Sequence, residues 1–233
     1  MYSICGADGC GDKWIAVTKD LDSGRVSWRC ATRRELFYGE PVPQIIALDI
    51  PIGLPEFGAR GCDREARQLL GRGRASSVFP ALIRPLLAAT DHADACEKRL
   101  QVDGKRMSLQ AWAIVPKIRE IDSLLREDPE LRTRVREVHP EVSFYFLAGG
   151  RPMRHGKKSR AGREERRVLL EPVFGHWLSA ALEERRRMSA AEDDVLDAFV
   201  ALWTAERIAH GQAQTIPAAP PVDACGLRME IVA

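Results

Sequence analysis

The sequence predicts an α/β protein in which a mixed sheet is flanked by helices, and three observations lead to this prediction. Four β-rich runs fill the first fifty residues, a helical block follows at about 60–133, and one more strand precedes the last helices. This order favours a layered α/β fold over a helical bundle. A chain of 233 residues with 45% hydrophobic residues can form one domain with a substantial core, 1–233.

The first three strands are expected to form an antiparallel meander. The short turns "GCGD" and "DSG" separate β-rich runs at 3–8, 13–20 and 25–32. A fourth run, "QIIALDI" (44–50), is apolar and is followed by Pro51, which is typical of a buried central strand.

The rest of the chain is mainly helical in pattern. "CDREARQLLG" has helical spacing and a terminal glycine, and Pro116 is expected to interrupt the helix predicted at 108–128. Strand composition returns at 133–147, with Pro140 at a bend or strand edge. Two further helical stretches are predicted before a Pro-rich tail that ends in a short strand: 163–187 and 190–210.

Bulk properties exclude several classes of protein. No apolar run approaches the ~18–20 residues of a membrane span, and the N-terminus lacks the pattern of a secretory signal. Six cysteines without a CxxC pair argue against a zinc site and predict reduced thiols in a cytoplasmic protein. The formal net charge of +2 excludes a polycation.

The last helix, "SAAEDDVLDAFVALWTAER", combines acids with an almost wholly apolar body. Ser189 and Glu192 fit a capping box, and Asp193 and Asp194 would then interact favourably with the helix dipole. Asp197 lies past the first turn among apolar residues, where a lone carboxylate costs several kcal/mol unless it is paired.

Two more acids end apolar strands, and with the helical acids they suggest a metal site. Asp8 follows "SICGA", and Asp49 follows "IIAL". Either aspartate alone is equally explained as a turn or strand-capping residue. Asp197 can share a helix face with either Asp194 at i,i+3 or Asp193 at i,i+4. Such a pair, together with Asp8 and Asp49, offers the hard oxygen ligands that Mg²⁺ or Mn²⁺ requires.

"GADG" on a first strand, an aspartate ending the fourth and "DDVLDAFVALWTA" on a late helix resemble the ribonuclease H-like fold, and the helix is most similar to the last helix of RuvC-type resolvases. More narrowly, the chain resembles the DUF429 family of predicted RNase H-like nucleases. The matching segments run nearly end to end: "GADGCGDKWIAV", "ALDIPIGLP", "CDREAR", "GRASSVFPA", "LQAWAIVPKIREID", "EVHPEVSF", "GKKSRAGREERR", "DDVLDA" and "GLRMEI".

The resemblance implies a five-stranded RNase H-like sheet with a helical insertion at about 60–133, between strands 4 and 5. It implies that Asp8, Asp49, Asp194 and Asp197 are catalytic metal ligands, with Asp49 where a resolvase has glutamate. Asp193 would be the residue at the helix dipole, although a shift of one position would exchange it with Asp194.

The segment "EVHPEVSF" offers further catalytic candidates. Glu137, His139 and Glu141 alternate and would share a strand face. Glu141 is a candidate fourth ligand or water-orienting base, and His139 a candidate proton shuttle. A solvated edge strand is the alternative explanation.

Two basic segments are candidate phosphate-binding sites. "RHGKKSRAGREERR" supplies Lys157 and Lys158, and "RGRASS" supplies Arg74, Ser76 and Ser77. Such side chains hold phosphate oxygens along a backbone or around a terminal group. A charge run is as often simply a solvated face.

The favoured function is therefore a nuclease or phosphodiesterase that uses Mg²⁺ or Mn²⁺ to hydrolyse nucleic acid. The alternative is a protein of the same fold that binds nucleic acid or a nucleotide without cutting it, with a steep salt dependence. Phosphoryl transfer to a small nucleotide is a third possibility, although no Gly-rich phosphate loop supports it. No membrane partner is expected, and resolvase-like enzymes often act as homodimers.

Overall fold

The computed structural model describes residues 2–233, and its centre is a five-stranded mixed sheet in the order β3-β2-β1-β4-β5. The strands are β1 (Ser3–Cys10), β2 (Lys13–Asp20), β3 (Val26–Ala31), β4 (Ile45–Leu48) and β5 (Val135–Glu137). Strands β1, β2 and β3 pair antiparallel, whereas β4 is parallel to β1 and β5 is parallel to β4. The predicted α/β class and five-stranded mixed sheet are confirmed.

The first four strands fall close to their predicted positions. The predicted meander is confirmed, and β1 continues two residues further than expected, to Cys10, before the turn at Gly11. A short capped helix that the sequence pattern did not indicate, α1 (Arg33–Tyr38), lies between β3 and β4.

The chain between β4 and β5 is helical apart from its loops. It contains 3-10 turns at Ala75–Ser77 and Arg84–Ala88, and five helices: α2 (Gly61–Arg74), α3 (His92–Asp103), α4 (Leu109–Ala113), α5 (Val115–Glu127) and α6 (Pro129–Arg134). Gly71 has a φ of 65° and interrupts α2, at the position where the sequence predicted a helix end. The break expected near Pro116 falls at Ile114, between α4 and α5.

The prediction of a strand at 133–147 is largely wrong. Only β5 is extended, and α7 (Pro140–Leu147) follows with Pro140 in its first turn. Proline is favoured there because its fixed φ suits a helix and its missing N–H would have had no partner. The β-type residues of "EVSFYFL" form a helix because they bury apolar side chains such as Phe144, against α8 and α10.

Three helices and a small hairpin complete the chain. They are α8 (Arg160–Phe174), α9 (His176–Glu184), α10 (Glu192–Ala209), β6 (Thr215–Ile216) and β7 (Ile231–Val232). Pro172 lies inside α8, and the predicted break comes instead at Gly175. The final strand is confirmed as β7.

Helix α10 lies directly on β1, and a glycine permits this approach. A Cβ atom on Gly6 would stand 2.0 Å from the backbone nitrogen of Leu202 and 2.6 Å from the carbonyl oxygen of Ala198. Because position 6 has no side chain, α10 can lie this close to the sheet.

The sheet separates two apolar cores. One contains Ala7 and Leu48 with side chains from the helical segment after β4, and the other contains Ile4 and Ala47 with α7 to α10. No helix within residues 2–233 has the length and apolarity needed to cross a membrane. All six cysteines are unpaired, as predicted.

Candidate functional site

A cavity of about 750 Å³ lies at the carboxyl edge of the sheet, and four of the predicted catalytic acids line it: Glu141 and three acids from the sheet and the last helix. Asp8 comes from β1, Asp49 from the first position after β4, and Asp197 from the second turn of α10. The structure thus brings together three carboxylates that are far apart in the sequence.

Strand pairing explains why the first two acids are neighbours. Ala7 pairs with Leu48 in the parallel β1–β4 ladder, and the backbone N–H of Asp49 donates to the carbonyl oxygen of Ala7 at 3.0 Å. Asp8 and Asp49 therefore take equivalent positions on adjacent strands. Because side chains alternate along a strand, both lie on the face opposite to Ala7 and Leu48, which is the face that α10 covers.

Burial and mutual repulsion disfavour the charged forms of these acids. Burial, followed by the charges of Asp49 and Asp197, raises the pKa of Asp8 well above its usual range. Burial, with a further contribution from Asp49, raises the pKa of Asp197 to about 6 against the opposing effect of Lys157. The cavity thus concentrates like charges where solvent screens them little.

Lys157 supplies the positive charge at the centre of the acids. Its Nζ atom lies 2.5 Å from Oδ2 of Asp197, and its side chain is 37% exposed. Burial opposes the ammonium charge, but Asp197, Asp8 and Asp49 together raise the pKa of Lys157 above its ordinary value. The predicted phosphate ligand Lys157 is therefore bound to an acid in this conformation.

The donor set fits a hard divalent cation in its chemistry. The three acids offer only carboxylate oxygens, and the buried Oδ1 of Asp197 has no hydrogen-bond partner among residues 2–233. Within the same residues, no three carboxylate, imidazole or thiol groups lie together as a ready set of ligands. The acids are instead arranged around the Lys157 ammonium, so a bound cation would have to take over the charge that Lys157 now supplies.

The other helical acids have different positions. Asp194 Oδ2 accepts from the backbone N–H of Ala191 at 3.1 Å and so caps α10, and burial raises its pKa. It contributes to the field at Asp8 but does not line the cavity. Asp193 is buried and pairs with Lys158 at 2.8 Å, again outside the cavity.

The predicted capping box is wrong. Helix α10 begins after Ala191, and Ser189 precedes it with a positive φ of 55°. Because Asp194 closes the first turn from inside the helix, no Ser189 cap is needed.

Glu141 lines the cavity but from α7, not from a strand. Arg74 from α2 and Arg166 from α8 both bind its carboxylate, and these arginines lower its pKa despite burial. The expected common strand face of Glu137, His139 and Glu141 is therefore wrong, because the helix begins between His139 and Glu141.

The predicted phosphate ligands separate into two groups. Arg74, Ser77 and Lys157 line the cavity, whereas Ser76 is exposed and Lys158 extends outward with a side chain that is 79% exposed. His139 also lines the cavity, and its Nε2 lies 3.3 Å from the carbonyl oxygen of Ser77.

The sequence analysis missed two features of the cavity. Arg60 is buried and binds Glu137 at the end of β5 through both terminal nitrogens, at 2.6 Å each, and binds Asp63 as well. Lys117 lines the cavity, with Nζ 4.1 Å from the centre of the Trp14 ring. "CDREAR", which begins at Cys62, predicts a helix and matches the family, but it does not single out Arg60, and no pattern linked Lys117 to β1.

The family of the protein follows from the share of the chain that one family model matches. A family model described as "Protein of unknown function (DUF429)" matches residues 6–222. The chain belongs to the DUF429 family. Comparison of this DUF429 chain with curated proteins and with solved structures found no match. The family predicted from the sequence is confirmed, and the matched residues include each acid of the cavity.

Proposed function

We propose that the protein has an RNase H-like fold and is a divalent-metal-dependent phosphodiester hydrolase that acts on nucleic acid. The convergence of Asp8, Asp49 and Asp197 in one cavity carries this proposal. An acid on the first strand, one after the fourth and one on a late helix are what the RNase H-like resemblance implies. The sheet of three antiparallel strands followed by two parallel ones is compatible with that fold.

Each cavity residue has a distinct role in this proposal. Asp8, Asp49 and Asp197 would hold Mg²⁺ or Mn²⁺, which when bound polarises a phosphate oxygen and lowers the pKa of a water molecule. The side chain of Lys157 is partly exposed, so its ammonium group can leave the carboxylate of Asp197 and bind a substrate phosphate.

Asp194 and Glu141 have supporting roles in the proposal. Asp194 adds negative charge near Asp8 from its capping position, and Glu141 holds Arg74 at the cavity wall. Asp194 does not line the cavity, and both carboxylate oxygens of Glu141 bind arginines, so the proposed metal ligands are the other three acids.

Hydrolysis of labelled DNA and RNA with Mn²⁺ or Mg²⁺ tests the proposal. We expect metal-dependent cleavage by the wild type and a loss of at least about 100-fold in Asp8→Asn, because one ligand of the reactive centre is removed. Asp193→Asn is the matched control, since Asp193 is a buried acid of the same region that lies outside the cavity. Equal cleavage by wild type and Asp8→Asn would exclude the proposed centre.

The Lys157–Asp197 pair favours one alternative, a protein that binds nucleic acid without cutting it. An acid neutralised by an internal lysine needs no metal. Binding without hydrolysis under any metal condition, with an affinity that falls steeply with salt, would support this alternative.

A further inference from the structure

The cavity is a cleft between two walls that both come from the helical segment between β4 and β5. One wall is the α4–α5 junction, where Lys117 Nζ donates to the carbonyl oxygen of Lys13 at 2.6 Å beside β1. The other is the loop with Ser77 and Phe79, which contacts His139 just after β5. Each wall therefore lies against a different strand end.

The strand positions limit the width of the cleft. Lys117 is anchored on Lys13 at the start of β2 and the other wall on His139 after β5, so three interstrand spacings, about 15 Å, separate the anchors before the side chains of the walls narrow the gap. The acids lie at the base, since Asp197 is 0% and Asp8 is 7% exposed. A double helix is wider than this gap, because its major groove alone measures about 12 Å and two backbones border it, so only an unpaired strand can reach the buried acids.

One wall presents an aromatic ring to the cleft. Phe79 is 55% exposed although its backbone is anchored on both sides. Val78 is buried and its carbonyl oxygen accepts from Arg67 at 2.6 Å, and the N–H of Ala81 donates to Asp63 at 3.0 Å. An exposed ring on an anchored loop is a platform on which a base can stack without ordering the loop first.

Cationic side chains line the same cleft as the ring and the acids. Arg74 lies on the Phe79 side, Lys117 on the opposite wall, and Lys157 at the acids. Among residues 2–233, the ammonium group of Lys117 donates only to the carbonyl oxygen of Lys13, and it is free to meet a phosphate. Arg74 and Lys157 are each paired with a carboxylate of the cavity and would exchange it for a phosphate of the bound strand.

We propose that the cleft binds single-stranded nucleic acid, with one unpaired base stacked on Phe79 and its backbone leading down to the acids. This proposal rests on the proposed function in one respect: it takes the acids at the base of the cleft as the site of reaction. Phe79 is then the residue that selects unpaired over paired strands, and the helical segment after β4 determines the substrate class.

Fluorescence anisotropy with a labelled 20-nucleotide strand and with its blunt duplex, both in EDTA, tests the proposal without hydrolysis. We expect wild type to bind the single strand at least about tenfold more tightly than the duplex. Phe79→Ala should weaken single-strand binding by roughly 5- to 150-fold, the contribution of one stacked base. Phe57→Ala is the matched control, because Phe57 is 73% exposed and lies outside the cavity.

A duplex bound as tightly as the single strand would overturn the proposal, and so would an equal effect of Phe79→Ala and Phe57→Ala. Failure to bind either nucleic acid would also overturn it. Single-strand binding that depends on Phe79, without cleavage in Mn²⁺ or Mg²⁺, would support this proposal and contradict the hydrolase. Metal-dependent cleavage that is unchanged in Phe79→Ala would support the hydrolase and contradict this proposal.

Discussion

Asp197 shows how a single residue of the site lowers the stability of the folded protein. Its carboxylate is wholly buried, one oxygen has no partner among residues 2–233, and its single cationic partner is partly exposed. A side chain chosen for packing alone would not be an acid at this position. Retaining it suggests that the charge serves binding or chemistry.

The pKa of Asp197 predicts how stability changes with pH. Burial raises the pKa from 3.8 to about 6, so the folded state binds this proton more tightly than the unfolded state. Stability is therefore lost as pH rises from about 4 to 6. Asp197→Asn should be more stable than wild type at pH 7, by on the order of 1–3 kcal/mol, and the difference should shrink at pH 4.

Urea unfolding at pH 4 and pH 7 measures this difference. Asp20→Asn is a control of opposite sign, because the backbone N–H of Ser23 lowers the pKa of Asp20 against a small effect of burial. That substitution should leave stability at pH 7 unchanged or lower. An Asp197→Asn variant less stable than wild type at pH 7 would contradict the account.

The same residue shows how far a sequence can predict a site. Asp197 stands out because it interrupts an apolar helix, and Asp8 and Asp49 because they end apolar strands. Lys157 as the partner of Asp197, and Arg166 as a partner of Glu141, come from loops and helices that only the tertiary structure brings near. Sequence spacing contains no information on such pairs.

Helix α10 and strand β1 form the element pair on which the site depends, since they carry Asp197 and Asp8. Their contact is so close that Gly6 cannot carry a side chain without moving backbone atoms of Leu202 or Ala201. The separation of the two carboxylates is therefore set by backbone packing.

Substituting Gly6 tests this dependence. Gly6→Ala should lower the free energy of unfolding by about 1–3 kcal/mol or more, because the added methyl group would overlap backbone atoms of α10 and not a flexible side chain. Gly73→Ala is the matched control, since nothing lies within 4 Å of a Cβ atom there and alanine favours the helix. Equal unfolding midpoints in urea for the two variants would contradict the assigned contact.

Elements with a clear period were predicted well, and α7 was not. The β-rich runs of the first fifty residues, the turns between them and the apolar run at 44–50 locate β1 to β4 within a few residues. In "HPEVSFYFL", residue preference favours a strand, but the proline starts a helix whose apolar side chains complete a core. Packing overrides local preference there, because β propensity is weak compared with burial.

At the scale of the whole molecule, ion pairs join the helical segment to the sheet and to the C-terminal part of the chain. Arg60 binds Glu137 of β5, and Arg84 bridges Asp122 of α5 and Asp223 near the C-terminus. Breaking a buried pair leaves an uncompensated charge and costs about 3–5 kcal/mol. The cleft walls are thus fixed relative to the acids, as a preformed binding site requires.

Calorimetric titration of Mn²⁺ into wild type, Asp197→Asn and Asp193→Asn tests the central claim, that the three cavity acids form a cation-binding centre. Wild type and Asp193→Asn should bind Mn²⁺ alike, and Asp197→Asn should lose at least about tenfold in affinity, because one hard oxygen ligand is removed. Circular dichroism checks that all three are folded. Equal binding by wild type and Asp197→Asn, or no binding by folded wild type, would contradict the claim.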